Sequence, residues 1–303
     1  MSDFQVYKDL AERTNGEFYL GVCGPVRTGK STFIKRFMEL MVLPGIADEH
    51  ERRRAIDELP QSADGKTIMT TEPKFIPKEA VSIDLGGEQK VKVRLIDCVG
   101  YIVKEAAGLF EEDGERMVMT PWSEEKMPFA KAAEYGTKKV IDDHSTIGIV
   151  VTTDGSIGEI PRDAYMEAEE KTIRELKNIG KPFVVILNTT KPYSEEVKDL
   201  AAWMQENYQV AVLPMNCNQL REEDVKKIMT GILEAFPVKR LAFHLPKWVE
   251  MLPRDHWLKQ ELIQKAKDIL GKITKIKDVI PENFQIESDM IKQFKLGNMG
   301  MED

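Results

Sequence analysis

Eight consecutive residues, Gly24-Pro25-Val26-Arg27-Thr28-Gly29-Lys30-Ser31, match the pattern G-x-x-x-x-G-K-[ST] at every specified position. The chemistry this spacing suits is polyphosphate binding. Gly24 and Gly29 let the chain turn tightly around Pro25, so that backbone N–H groups of Val26 to Thr32 converge on phosphate oxygens. Lys30 supplies a fixed positive charge for the β- and γ-phosphates, and the Ser31 hydroxyl supplies a hard oxygen ligand for Mg2+. A chance glycine-rich turn is the plain alternative. The flanking elements oppose it: an apolar strand precedes the loop and a helix follows it.

A second constellation lies about 65 residues on, at Asp97-Cys98-Val99-Gly100. Val91 to Ile96 is apolar enough for a strand, so Asp97 falls at a strand end. There its carboxylate is expected to hold the metal, and the Gly100 N–H to meet the γ-phosphate. In switch-type GTPases a water-orienting glutamine usually follows that glycine. Here the residue is Tyr101, which cannot do that job, so turnover is expected to be slow or completed by another group. Between the two motifs, Leu59 to Pro77 is a polar stretch in the place of a nucleotide-sensing switch. Its Thr70 and Thr71 are candidates to reach the γ-phosphate and, for Thr71, the metal. An ordinary surface threonine pair is the other reading.

The base is addressed by Asn188-Thr189-Thr190-Lys191, which stands where guanine-specific proteins carry N-K-x-D. The acidic position, whose carboxylate accepts two hydrogen bonds from guanine, is Lys191. An ammonium there leaves the guanine N–H donors unpaired, a loss that hydrogen-bonding sites punish by about 10⁴-fold. Adenine, with an acceptor at N1, fits better. ATP is therefore the expected nucleotide, with Mg2+; Asn188 and Lys191 are the expected base-side contacts, Lys30, Thr70, Thr71 and Asp97 the catalytic set, and Ser31, Thr71 and Asp97 the metal ligands.

Glu17 to Cys23, Thr146 to Thr152, Phe183 to Asn188 and Val210 to Pro214 read as further strands, mostly as unbroken apolar runs. Helices alternate with them: Ser31 to Val42 (Phe33, Ile34, Phe37, Met38 and Met41 on one face), about 124–140, Ala164 to Ile179, about 194–207 and 221–235. Val81 to Leu85 and Val91 to Ile96 form a predicted hairpin through Gly86-Gly87, and 102–130 a mobile excursion. The alternation predicts an α/β fold of the phosphate-loop NTPase class. Its mainly parallel sheet should be of the GTPase-like (TRAFAC) type. The boundary is expected near residue 238, after which the chain becomes a helical segment. Residues 239–277 hold ten Lys or Arg against four Asp or Glu. An apolar stripe (Trp257, Leu258, Leu262, Ala266, Ile269, Leu270, Ile273, Ile276) predicts one helix over 255–277, packed on its neighbour or available for self-association.

The formal net charge of −8 over 303 residues argues against a general nucleic-acid binder. Three widely spaced cysteines, Cys23, Cys98 and Cys217, read as reduced core thiols. No signal-peptide pattern and no run near the roughly 20 apolar residues of a membrane span are legible, so a cytoplasmic protein is expected.

The stretches AERTNGEFYLGVCGPVRTGKSTFIKRFMEL, ELPQSADGKTIMTTEPKFIP, LIDCVGY, HSTIGIVVTTDGSIGEI and LPKWVEMLPRDHWL resemble the stage IV sporulation protein A ATPases of endospore-forming bacteria. The resemblance runs from residue 7 to about 260. It implies a GTPase-fold protein that uses ATP, senses it through the paired threonines of the switch loop, and polymerises into the basement layer of the spore coat. It implies as partners further copies of the chain and other coat proteins, on the mother-cell side of the forespore surface. The forespore membrane would be reached only indirectly, through a C-terminal region, expected to be absent here, and a small anchor protein. A conventional GTPase switch and a scaffold that never turns its nucleotide over are the rival readings.

Overall fold

The computed structural model describes residues 9–60, 73–84, 90–103, 110–111, 114–120 and 123–284. The chain divides into two compact units, Met1–Leu233 and Glu234–Asp303. In the first, strands β1 (Glu17–Cys23), β2 (Lys74–Asp84), β3 (Lys90–Asp97), β4 (Ile147–Thr153), β5 (Phe183–Asn188) and β6 (Val212–Met215) form one sheet. Their order is β6-β5-β4-β1-β3-β2, and every pairing is parallel except β2 with β3. β4 and β5 are buried along their whole lengths, as central parallel strands covered on both faces must be. The architecture is the mostly parallel α/β fold of the phosphate-loop class. The register sets Val22 beside Asp97, Cys23 beside Val150, and Asn188 beside both Thr153 and Met215. Five strands therefore end along one edge, and the loops that follow them gather there.

Helix α1 (Lys30–Phe37) starts directly from the phosphate loop and buries Phe33, Ile34 and Phe37. It continues as a π-helical turn, Met38–Val42. That wider turn adds a residue, so the buried position moves from the expected Met41 to Val42. A charged helix, α2 (Glu49–Asp57), is capped by Asp48, whose carboxylate accepts the Glu51 N–H at 2.8 Å. The remaining helices of this unit are α3 (Phe129–Lys139), α4 (Arg162–Ile179), α5 (Glu195–Tyr208) and α6 (Glu222–Ala235). Ile173 and Leu176 of α4 and Ala201 and Met204 of α5 share a core cluster with Cys23, Val150, Val185 and Leu187 of the sheet. All three cysteines are buried and free.

Two further expectations for this unit need correction. β2 begins at Lys74, which pairs with Asp97, so residues 74–77 belong to the sheet and not to a loop. Pro77 falls where the register shifts between Ile76 and Val81, on an edge strand, where its missing N–H breaks no ladder. The expected helix from about 124 is a strand up to Pro128, paired with Met117–Thr120. Pro128 cannot donate inside a helix, and α3 starts just after it with Pro128 as N-cap. The Gly86-Gly87 turn lies outside the described residues.

In the second unit, α7 (Trp257–Lys272) buries only Ile269 of its own residues. Ile269, Ile273 and Phe284 form a small core with Val238, Leu241, Phe243 and Val279. The helix does not run to 277. The Asp278 carboxylate accepts the N–H groups of Thr274 and Lys275 at 3.0 and 2.8 Å, donors that a continuing helix would spend on earlier carbonyls. Trp257 and Leu270 of the expected stripe are exposed, at 56% and 49%. Among the described residues no helix is long and apolar enough to cross a membrane.

Candidate functional site

The loop between β1 and α1 has the conformation its glycines allow. Gly24, Arg27 and Gly29 have φ of 127°, 62° and 90°. A Cβ on Gly24 would lie 2.3 Å from the Val151 carbonyl oxygen, so β4 admits no side chain there. Thr28 Oγ1 donates to the Pro25 carbonyl at 3.0 Å, closing the loop on itself. Pro25 and Val26 are bridged to the segment after β3. Val26 N–H donates to Tyr101 O at 2.9 Å, and Tyr101 N–H to Gly24 O at 3.1 Å. A Cβ on Gly100 would stand 2.3 Å from Gly24 O and 2.6 Å from Lys30 Nζ. Only glycine permits so close an approach of the D-x-x-G turn to the loop.

Lys30 is buried, and its Nζ donates to Pro25 O at 2.6 Å and Gly24 O at 3.4 Å. Burial pulls the ammonium below the ordinary lysine range, against the opposing pull of Asp97. Next to it Ser31 Oγ donates to Asp97 Oδ2 at 2.8 Å. Burial raises the Asp97 carboxyl, with Lys30 and the Ser31 hydrogen bond acting against the rise. A hydroxyl and a carboxylate in contact beside a fixed cation form a hard-oxygen pair suited to Mg2+ shared with phosphates. Among the described residues no group of three His, Cys, Asp or Glu side chains could hold a metal without such a substrate. Thr32 follows on the first turn of α1.

The Gly100 N–H donates to Thr137 Oγ1 at 3.3 Å, and that hydroxyl donates in turn to Ala133 O at 2.7 Å. Thr137 thus meets the backbone group expected to read the γ-phosphate. Tyr101 is buried against Val26, Val103, Ile160 and Tyr165, and its hydroxyl is bound to the Glu175 carboxylate of α4. Burial, then Glu175, pushes that phenol well above its usual range. The ring serves the fold and is not presented to a γ-phosphate. Thr70 and Thr71 lie outside the described residues.

Asn188 joins three loops. Its Nδ2 donates to Thr28 O at 2.9 Å, and its Oδ1 accepts the Cys217 N–H at 3.0 Å. Lys191 is exposed at the far end of the same segment. The structure therefore brings Lys30, Ser31, Asp97 and Gly100 around one loop, with Asn188 bracing that loop from the side.

Residues 1–237 match the family described as stage IV sporulation protein A, ATPase domain, and residues 238–303 match that protein's middle domain. The chain belongs to the stage IV sporulation protein A family. It is 52% identical over 279 residues to stage IV sporulation protein A of Bacillus anthracis, covering 92% of this chain and 57% of that one. It is 53% identical over 274 residues to the protein of Clostridioides difficile (strain 630), covering 90% and 56%. For Bacillus subtilis (strain 168) the identity is 51% over 279 residues, covering 92% and 57%. The chain thus spans a little over half the length of these relatives. Two solved variants of SsGBP align over 75% of the chain and 61% of their own, with TM-scores of 0.39 and 0.38 and 13% and 15% identity. Membership gives the chain an ATPase domain, over residues 1–237.

Several site residues were not legible as such in the sequence. Thr137, Asp154, Ser156 and Thr189 gain their roles from partners distant along the chain. The one signal was placement: T-T-D-G-S and N-T-T-K both put small polar residues at the ends of adjacent parallel strands. Arg162 and Glu169 pair two helical turns apart inside α4, where an amphipathic pattern showed only the apolar face.

Proposed function

We propose that the chain binds ATP with Mg2+ on the loop from Gly24 to Thr32 and hydrolyses its β–γ phosphoanhydride bond. The observation that carries this is the Ser31–Asp97 contact of 2.8 Å beside the buried Lys30. Lys30 holds the β- and γ-phosphates, Ser31 and Asp97 hold the cation, and Gly100 offers its N–H in place of the Thr137 bond. Bound Mg2+ neutralises charge that builds on the phosphate oxygens. Adenine is the favoured base, because Lys191 stands where guanine needs an acceptor.

As the family resemblance implies, we assign turnover to self-assembly into the spore-coat basement layer, on the mother-cell side of the forespore. Other coat proteins are the further partners. Residues 239–277 are a candidate contact between copies, since Trp248, Met251 and Trp257 are exposed there. A scaffold that keeps its nucleotide is the second reading, favoured by the Tyr101 hydroxyl being tied to Glu175 and so not free to orient a water.

Phosphate release from the purified chain with Mg-ATP decides between them. Release is expected, and ATP should displace a labelled ATP analogue at least about tenfold better than GTP does. No release with ATP bound would establish the scaffold; equal competition by GTP would refute the base argument. The switch loop gives a separate expectation. Replacing Thr70 and Thr71 together with Ala should leave ATP affinity within about threefold while slowing release about 100-fold, since loop closure and not docking would be lost. A normal rate in that variant would move the switch elsewhere.

A further inference from the structure

One carboxylate organises the loop that carries Lys191. Asp154 lies just beyond the end of β4, and β5 runs beside it into Asn188-Thr189-Thr190-Lys191. Thr189 Oγ1 donates to Asp154 Oδ2 at 2.6 Å, and Ser156 Oγ donates to Asp154 Oδ1 at 2.6 Å. A hydroxyl has a single proton, so both are committed to the carboxylate and both oxygens are left as acceptors for the segment Thr189 to Lys191. Each takes one backbone donor from it. Thr190 N–H goes to Ser156 Oγ at 2.9 Å, and Lys191 N–H goes to Thr189 Oγ1 at 3.0 Å. Thr189 is fully buried, and its own N–H continues the ladder to Met215 O at 3.0 Å. Ser156 N–H adds a third bond to Asp154 Oδ1, at 3.0 Å.

We infer that Asp154, with Ser156 and Thr189, is a positioning device for base selection: it fixes the backbone of Thr190 and Lys191, and so where the Lys191 ammonium stands toward the base. Bonds to an ionised carboxylate are the stronger kind, which suits a loop that must hold one geometry against solvent. In this arrangement Thr189, at the position of the lysine of N-K-x-D, is a buried strut. The inference rests on the proposed reading of Lys191 as the discriminating residue, and the test separates the two.

The quantity to measure is the ratio of ATP to GTP affinity, by displacement of a labelled ATP analogue from the full chain. A loss of fold would weaken both nucleotides together, whereas a misplaced Lys191 changes their ratio. Asp154→Asn keeps the shape but turns one acceptor into a donor against its hydroxyl partners. Thr189→Val keeps the volume and deletes both bonds. Each should lower the ratio at least about tenfold, toward that of Lys191→Ala, and Thr189→Ser should retain it. If Asp154→Asn does not fold, Ser156→Ala reads the same device from its other hydroxyl. An unchanged ratio in Thr189→Val and Asp154→Asn, with a lowered ratio in Lys191→Ala, overturns the positioning role alone. An unchanged ratio in Lys191→Ala overturns the base reading and the device with it.

Discussion

Lys30→Ala should lose ATP affinity by about a thousandfold while remaining folded. The ammonium is desolvated and already lies within hydrogen-bonding range of the carbonyls of Pro25 and Gly24. Phosphate oxygens would take over as its acceptors, and each charge-assisted bond of this kind contributes about 1.5–3 kcal/mol. Two such bonds amount to roughly two to four powers of ten in the dissociation constant. The fold should tolerate the change. Pro25 O keeps Thr28 Oγ1 as a donor at 3.0 Å, so no buried carbonyl is orphaned. Lys30→Arg should not restore binding, because the buried ammonium is held between the Pro25 and Gly24 carbonyls, a place suited to a compact point charge and not to a planar fork. Titration of a fluorescent ATP analogue, together with the melting temperature, checks this. Binding by Lys30→Ala within tenfold of the unaltered chain would remove the loop from the site.

The loop was legible because its requirements are local. A chain that wraps phosphates needs glycine where φ is positive, and Gly24 and Gly29 take that conformation. The central strands were legible for a different reason: buried on both faces, TIGIVVT and FVVILN read as unbroken apolar runs. Asp97 could be placed at a strand end by the run that precedes it. Its contact with Ser31, 66 positions away, confirms that the two motifs share one place.

What escaped was decided by partners remote in sequence. Nothing near Thr137 marks it as the acceptor for the Gly100 N–H, 37 residues away. The end of α7 depends on Asp278 capturing two N–H groups, which a stripe of apolar residues does not reveal. β2 opens as Lys74-Phe75-Ile76-Pro77, where lysine and proline obscure the strand pattern. Pairing with β3 overrides that local signal. The π turn in α1 shifted one buried position for a reason invisible to a 3.6-residue period.

The second large effect should fall on stability, at Arg162 and Glu169. The guanidinium meets the carboxylate twice, at 2.6 and 2.7 Å, with the Glu169 side chain fully buried and the Arg162 side chain 16% exposed. Thr152 Oγ1 and Tyr208 OH donate to the same carboxylate at 2.5 and 3.1 Å, and Arg162 also donates to Thr153 O at 3.2 Å. Burial and then Glu169 push the Tyr208 phenol up. Arg162→Met would leave that carboxylate buried with two hydroxyls and no cation. Removing one partner of such a pair costs about 3–5 kcal/mol. Glu169→Leu should cost less, because the guanidinium is near enough to solvent to turn outward. Combining the two should cost less than Arg162→Met alone, since no buried charge is left. Denaturant midpoints at unchanged m value measure all three. The same network grips β4 through Thr152 and Thr153, one residue before Asp154, so Arg162→Met should also loosen the hydroxyl pair that holds Thr190 and Lys191. A cost below about 1 kcal/mol for Arg162→Met would show that the pair is solvated, as surface pairs are. Strictly additive losses in the double variant would show that the two side chains act independently and do not form one buried unit.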